Sequence, residues 1–220
     1  NFSLENIPRN GKGDPMADNA PVQATGTRSK KLNTKDLIYA GAFCALYIIV
    51  MLIVVMGSGM ILPILYFIAP LTVGTVAGTV YMLYVMKIRK FGAALILGIL
   101  FLLATGHLTW YSLAVVIGAS LLAELVIYLG KYTSKKMYML SYVFFNLTMA
   151  APFLSFVFNL QDSLEITKSY YGEARAQVYA TLFGSGFFVF TVALALAGGI
   201  IGALIASRLV KKHFAKAGII

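Results

Sequence analysis

The sequence predicts an all-α membrane protein, a bundle of six transmembrane helices with both termini on the cytoplasmic side. Composition is the first reason. Of 220 residues, 60% are hydrophobic and only 12% are charged, with a mean hydropathy of +0.83. Soluble domains carry about 25% charged residues, so half that share points to the bilayer. The second reason is the distribution of charge. The net charge of +10 comes in short basic clusters between apolar runs, as in loops facing the cytoplasm, and not as a nucleic-acid surface. Finally, the lone cysteine, Cys44, lies inside an apolar run, so neither a disulfide framework nor a metal-binding cysteine pair is expected.

Residues 1–34 form a polar tail and residues 35–220 the six-helix transmembrane domain. Lys12-Gly13-Asp14 can be encoded by a purine-rich ribosome-binding sequence just upstream of Met16. Met16 is therefore the expected natural start, and residues 1–15 an over-extended reading frame or a cloning scar.

The spans follow in order. Leu37–Met56 is a clean apolar run. Met60–Met86 carries Pro63 and Pro70 near its start, so it should begin kinked or partly unwound. Phe91–Thr105 is short, about 22 Å of helix against a core of about 30 Å. Leu108–Gly130 holds one charge, Glu124, and Met137–Leu160 holds Pro152 in its last part. Val178–Ser207 is expected as one long sixth span, able to tilt.

Basic residues set the direction. Arg28, Lys30, Lys31 and Lys35 precede the first span, and Lys87, Arg89 and Lys90 separate spans two and three. Lys131, Lys135 and Lys136 separate spans four and five; Arg208, Lys211, Lys212 and Lys216 close the chain. The opposite side holds only Lys168 and Arg175. Both termini are therefore expected in the cytoplasm. His107, in "TGHLTW" beside the only tryptophan, then faces outward. It is open to three readings: ligand-contacting group, proton carrier or plain loop residue.

Much chemistry is missing. Neither Gly11-Lys12 nor Gly130-Lys131 has the glycine five residues earlier that a phosphate-binding loop needs, and no HExxH or GxSxG occurs. An enzyme is not expected. Glu124, about 10 Å from the end of its helix, is either a coupling site or a group that reaches the interface or a neighbouring lysine. Gly41 and Ala45, Gly74 and Gly78, and Gly198, Gly202 and Ala206 stand four apart, a spacing that lets helices approach closely. The segment 161–177, "QDSLEITKSYYGEARAQ", reads as a long outer connection, either a lid or plain solvated chain.

The strings "KLNTKDLIYAGAFCALYIIVM", "KIRKFGAALILGIL", "TGHLTW", "LLAELV" and "GGIIGALIASRLVKKHFAKAGI" together resemble the Trep_Strep family of bacterial integral membrane proteins. The resemblance runs from about Lys31 to the C-terminus. That family is in turn similar to the substrate-binding (S) components of energy-coupling-factor (ECF) importers. The resemblance implies an S-component-like fold in the bacterial cytoplasmic membrane. It also implies partners on separate chains: a transmembrane coupling protein and two ABC ATPases. Gly41 and Ala45 match the small-xxx-small motif that packs on the coupling protein, with glycine in place of the usual first alanine.

By position, the resemblance puts the substrate near the outer surface. It would lie against His107, Trp110 and Tyr111; Pro152, Phe153 and Asn159; Tyr170 and Tyr171 of the lid; and Tyr179 and Phe183 at the start of helix six. Such aromatics suit a flat ligand. It could be a vitamin-like molecule or, since His and Tyr both ligate haem iron, a transported haem or other tetrapyrrole. No intrinsic cofactor, catalytic group or metal is implied. Two other readings stand beside capture: a self-sufficient ion-coupled permease using Glu124, and a non-transporting membrane scaffold or sensor.

Overall fold

In a computed structural model of the chain, residues 32–61, 63–183 and 186–214 are described. The expectations for residues 1–31, including the start at Met16, lie outside them. The described residues form helices and no strand. Five segments are long and apolar enough to cross a membrane: Thr34–Gly57, Leu65–Ile88, Trp110–Leu129, Lys135–Phe158 and Phe187–Lys212. A sixth apolar helix, Ala93–Thr105, is shorter.

Helix α1 (Thr34–Ile61) opens on a reciprocal cap. The Asn33 N–H donates to Asp36 Oδ2 at 2.8 Å and the Asp36 N–H to Asn33 Oδ1 at 2.9 Å, satisfying two amides that the first turn leaves open. Ala40, Cys44, Tyr47 and Met51 fall at helical spacing and are its buried stripe, while Leu37, Ile38, Leu46, Ile49 and Ile53 on other faces are exposed. Asp36 also pairs with Lys90 at 2.6 Å, tying the start of α1 to the turn after α2 (Ala69–Ile88).

The expected irregular start of the second span is a 3-10 segment, Pro63–Ile68, followed by α2 with Pro70 in its first turn. There the missing proline N–H costs nothing, because first-turn amides have no intrahelical partner. Helix α3 (Ala93–Thr105) runs 13 residues, about 20 Å. After α4 (Trp110–Leu129), the fifth span changes pitch twice. It runs as α5 (Lys135–Phe145), a 3-10 stretch (Asn146–Phe153) and α6 (Leu154–Phe158). Pro152 cannot donate to an α ladder and its ring crowds the preceding turn, which accounts for the tightening around it.

Two expectations are corrected here. Segment 161–177 is not an irregular connection: α7 (Leu160–Tyr171) and α8 (Glu173–Leu182) form a helical hairpin turning at Gly172. Nor is Val178–Ser207 one span. Val178–Leu182 belongs to α8, Phe183 is extended, and the last span, α9, begins at Phe187 and ends at Leu209. Tyr179 and Phe183 therefore belong to the hairpin and its exit. The polar character of 173–177 continues the helix outside the apolar core, and the span starts only where the uninterrupted apolar run does.

The core is held by close backbone contact and a few buried polar ties. A Cβ on Gly78 would lie 2.8 Å from the Gly202 carbonyl carbon, and one on Gly198 2.6 Å from the Pro70 oxygen. Helices α2 and α9 thus pack backbone to backbone, as the glycine spacing foreshadows. Asn146 Nδ2 donates to Pro70 O at 3.0 Å and to Ala195 O at 2.7 Å, joining the fifth span to both. Tyr142 donates to Gly74 O at 2.6 Å. By contrast, a Cβ on Gly41 would meet nothing, and Gly41 and Ala45 are both exposed on α1.

Among the described residues Glu124 pairs with no lysine. It is fully buried on α4, and its Oε1 accepts the N–H groups of Ala94 at 2.6 Å and Leu95 at 3.4 Å. These are first-turn amides of α3, whose own N-cap residue is Gly92 with φ 100°, a residue without a side chain to do the job.

Candidate functional site

A cavity of about 530 Å³ opens at the end of the bundle opposite the basic clusters. That is within the usual size of small-ligand sites. Its walls come from the last turns of α1, the 3-10 segment before α2, the α3–α4 connection with the first turn of α4, the end of the fifth span and both arms of the hairpin.

The α3–α4 connection contributes His107. Helix α3 stops at Gly106, which takes φ 70° and donates its N–H to Leu102 O at 3.0 Å. That left-handed stop is easy for glycine alone. It leaves His107 half-buried at the cavity wall, where burial holds its pKa below the ordinary 6.5 because the charged imidazolium loses water. At neutral pH it is an uncharged ring with one donor and one acceptor nitrogen.

Next comes a short polar chain. Asn159 Nδ2 donates to the Tyr111 hydroxyl at 3.5 Å, and that hydroxyl donates to Ser155 Oγ, also at 3.5 Å. All three residues line the cavity, and both contacts are long enough to be exchanged for a ligand. The Phe158 ring stacks on Tyr111 with centroids 5.0 Å apart, fixing its plane from behind.

The hairpin supplies the rest. Asp162, Ser163 and Thr167 face the cavity from α7; Arg175 and Tyr179 face it from α8. Arg175 holds its guanidinium 4.9 Å from the centre of the Tyr171 ring, and Tyr171 lines the cavity too. Tyr179 stands nearly parallel to Tyr66, at an interplanar angle of 12° and a centroid separation of 6.4 Å. Burial raises the Tyr179 pKa, the neighbouring Arg175 charge acting against it, so the phenol stays neutral at ordinary pH.

Of the residues expected from the sequence, His107, Tyr111, Asn159, Tyr171, Tyr179 and Pro152 meet at this cavity. Four lie elsewhere. Trp110 is 71% exposed and leans on Phe158 from outside, as an interfacial tryptophan does. Tyr170 points away, 79% exposed. Phe153 is buried in an aromatic cluster with Phe67 and Phe187, behind the wall. Phe183 lies face to face with Phe156 at 4.3 Å, supporting a wall residue without lining the cavity itself.

Sequence reasoning missed Tyr66, Phe156, Asp162 and Arg175. The last two carried a signal, a charge of each sign inside the segment read as either a lid or plain solvated chain. Tyr66 and Phe156 carried none: Tyr66 is aimed here by its own 3-10 segment, and Phe156, on α6, by the 3-10 stretch that precedes that helix. Among the described residues, no group of three or more His, Cys, Asp or Glu could hold a metal ion.

Comparison with known proteins gives one match. No curated protein and no solved structure matches the chain. Residues 34–216 match a family described as hypothetical bacterial integral membrane proteins, Trep_Strep, which covers every helix from α1 to α9. With its apolar bundle and multi-pass architecture, the chain belongs to the Trep_Strep family of bacterial integral membrane proteins.

Proposed function

We propose that this protein is the substrate-specific S subunit of an ECF-type importer, which captures a micronutrient outside and delivers it inward together with a coupling protein and two ABC ATPases. The observation that carries the reading is the cavity. It is a preformed, mixed aromatic and polar site at the end of the bundle away from the basic clusters, bounded by a two-helix hairpin. By the positive-inside rule that end faces outward, with both termini in the cytoplasm.

Two further features fit. The chain carries no nucleotide-binding loop, so any ATP hydrolysis would have to take place on other subunits. Gly41 and Ala45 give α1 a shallow exposed strip on which another helix could seat closely. The test is co-expression with a coupling protein and its ATPases, followed by affinity capture from mild detergent. Capture of all three partner chains, lost in Gly41→Leu/Ala45→Leu while ligand binding persists, supports the reading. Absence of any such assembly, with uptake intact in cells lacking the ATPases, overturns it.

That last result would favour an ion-coupled permease. Its motive is Glu124 Oε2, buried and without a hydrogen-bond partner among the described residues. Glu124→Gln keeps an oxygen for the α3 amides but removes the titrating group. It should abolish uptake by a permease and leave uptake by an S subunit nearly unchanged.

A further inference from the structure

We propose that the cavity takes a planar aromatic acid bearing one carboxylate and a hydrogen-bond donor on or beside its ring, with the carboxylate on Arg175, the donor on Asp162 and the ring against Tyr66 and Tyr179. This rests on the reading of the cavity as a capture site and specifies what is captured.

Charge is the first argument. Among the described residues, Arg175 is the only Lys or Arg on the cavity wall, and Asp162 the only carboxylate. A lone guanidinium matches a single carboxylate through paired N–H donors. A phosphate ester or a tetrapyrrole with two acid side chains would bring at least one more negative charge, with no second cation to meet it and Asp162 to repel it. Asp162, in the first turn of α7, is an acceptor that asks for a donor on the ligand.

Geometry is the second argument. Tyr171 lies under the Arg175 guanidinium, 4.9 Å from ring centre to Cζ, a contact that holds the cation at the cavity wall before any ligand arrives. Tyr66 and Tyr179 both line the cavity with ring planes only 12° from parallel. An aliphatic ligand would gain little from aromatic surface held in one orientation, whereas a planar ring can lie against it. Both charged residues sit on the hairpin, one on each arm, so a ligand joining them would hold α7 and α8 together.

The experiment uses the full chain in mild detergent and follows its melting temperature with defined probes. Orotate and para-aminobenzoate represent the class; uracil and aniline lack the carboxylate, benzoate lacks the donor, and haem represents the tetrapyrroles. We expect at least one of the two acids to raise the melting temperature, and its matched analogues not to. Arg175→Gln and Asp162→Asn should each weaken that acid about tenfold or more, read against each variant's own ligand-free melting temperature. Arg175→Lys, which keeps the charge but loses the fork, should fall between. Stabilisation by neither acid, equal stabilisation by an analogue or haem, or full binding by Arg175→Gln would each overturn the proposal. Association with coupling protein and ATPases is scored in the same membranes. Association without binding of either acid overturns the ligand class and leaves the importer reading standing; binding without association does the reverse.

Discussion

The carboxylate of Glu124 on α4 lies 2.6 Å from the backbone nitrogen of Ala94, so one helix caps the start of another. The single acidic residue of the fourth span is in this way part of the scaffold, holding the first turn of a helix too short to be held by length alone.

Replacing it tests that role. Glu124→Ala would strand the buried Ala94 amide and release the half-buried Leu95 amide, and should lower stability by about 1–3 kcal/mol. Glu124→Gln, which still offers an oxygen, should cost clearly less. Thermal unfolding of the detergent-solubilised protein, compared across the two variants, decides it; equal losses would mean that capping is not what Glu124 contributes.

The two kinds of glycine should respond oppositely. Gly78→Leu and Gly202→Leu push side chains into a facing backbone and should cost about 1–3 kcal/mol or more. Gly41→Leu, where a Cβ meets no atom, should leave the melting temperature unchanged. A destabilised Gly41→Leu would show that α1 packs more closely than its exposed face indicates.

His107 gives a pH dependence with a definite sign. Its folded pKa lies below the ordinary 6.5, so at neutral pH the ring is uncharged in both folded and unfolded chains. As pH falls below about 6.5 the unfolded chain takes up the proton first. The His107 contribution to stability is then present above that value and is lost as pH falls through the lower folded pKa. A melting-temperature profile between pH 5 and 8, expressed as wild type minus His107→Gln, should decline toward the acid end. A flat difference would contradict the burial.

The hairpin turn depends on backbone more than on charge. Lys168 and Glu173 form an exposed ion pair across Gly172, and screening by solvent leaves such a pair little weight. Gly172 itself has φ 87° and ψ 165°, a region nearly closed to side chains, so Gly172→Val should strain the turn by about 1–3 kcal/mol. Limited proteolysis should cut Gly172→Val between α7 and α8 much faster than Lys168→Ala. Similar rates would make the ion pair the true clasp.

What the sequence made legible was whatever apolar length and charge placement control. Four long spans were visible within a few residues of their ends, and the short third was marked as short. The irregular stretches followed from Pro63, Pro70 and Pro152, whose constraint is local. The hairpin was misread because its helices are polar and short, so that neither gives an apolar run. The false start at Val178 overlooked Gly184-Ser185-Gly186, a breaker in plain view inside the supposed span. About a third of the cavity wall was legible, from the outer ends of spans and the outer connection. Tyr66 and Phe156 were not, since a residue's direction at the end of a kinked span is decided by packing several turns away.

The 3-10 stretch Asn146–Phe153 has a consequence for where the fifth span looks. A 3-10 helix turns about 120° per residue against about 100° for an α-helix. Over the eight residues of this stretch, the difference accumulates to nearly half a revolution. Everything beyond it is re-aimed by that amount. Ser155, Phe156 and Asn159 point into the cavity, when an unbroken α-helix carrying the same sequence would send that face in the opposite direction. Pro152 thus acts as a swivel: it lets a span whose inner half is committed to α2 and α9 present an independently chosen face at its other end.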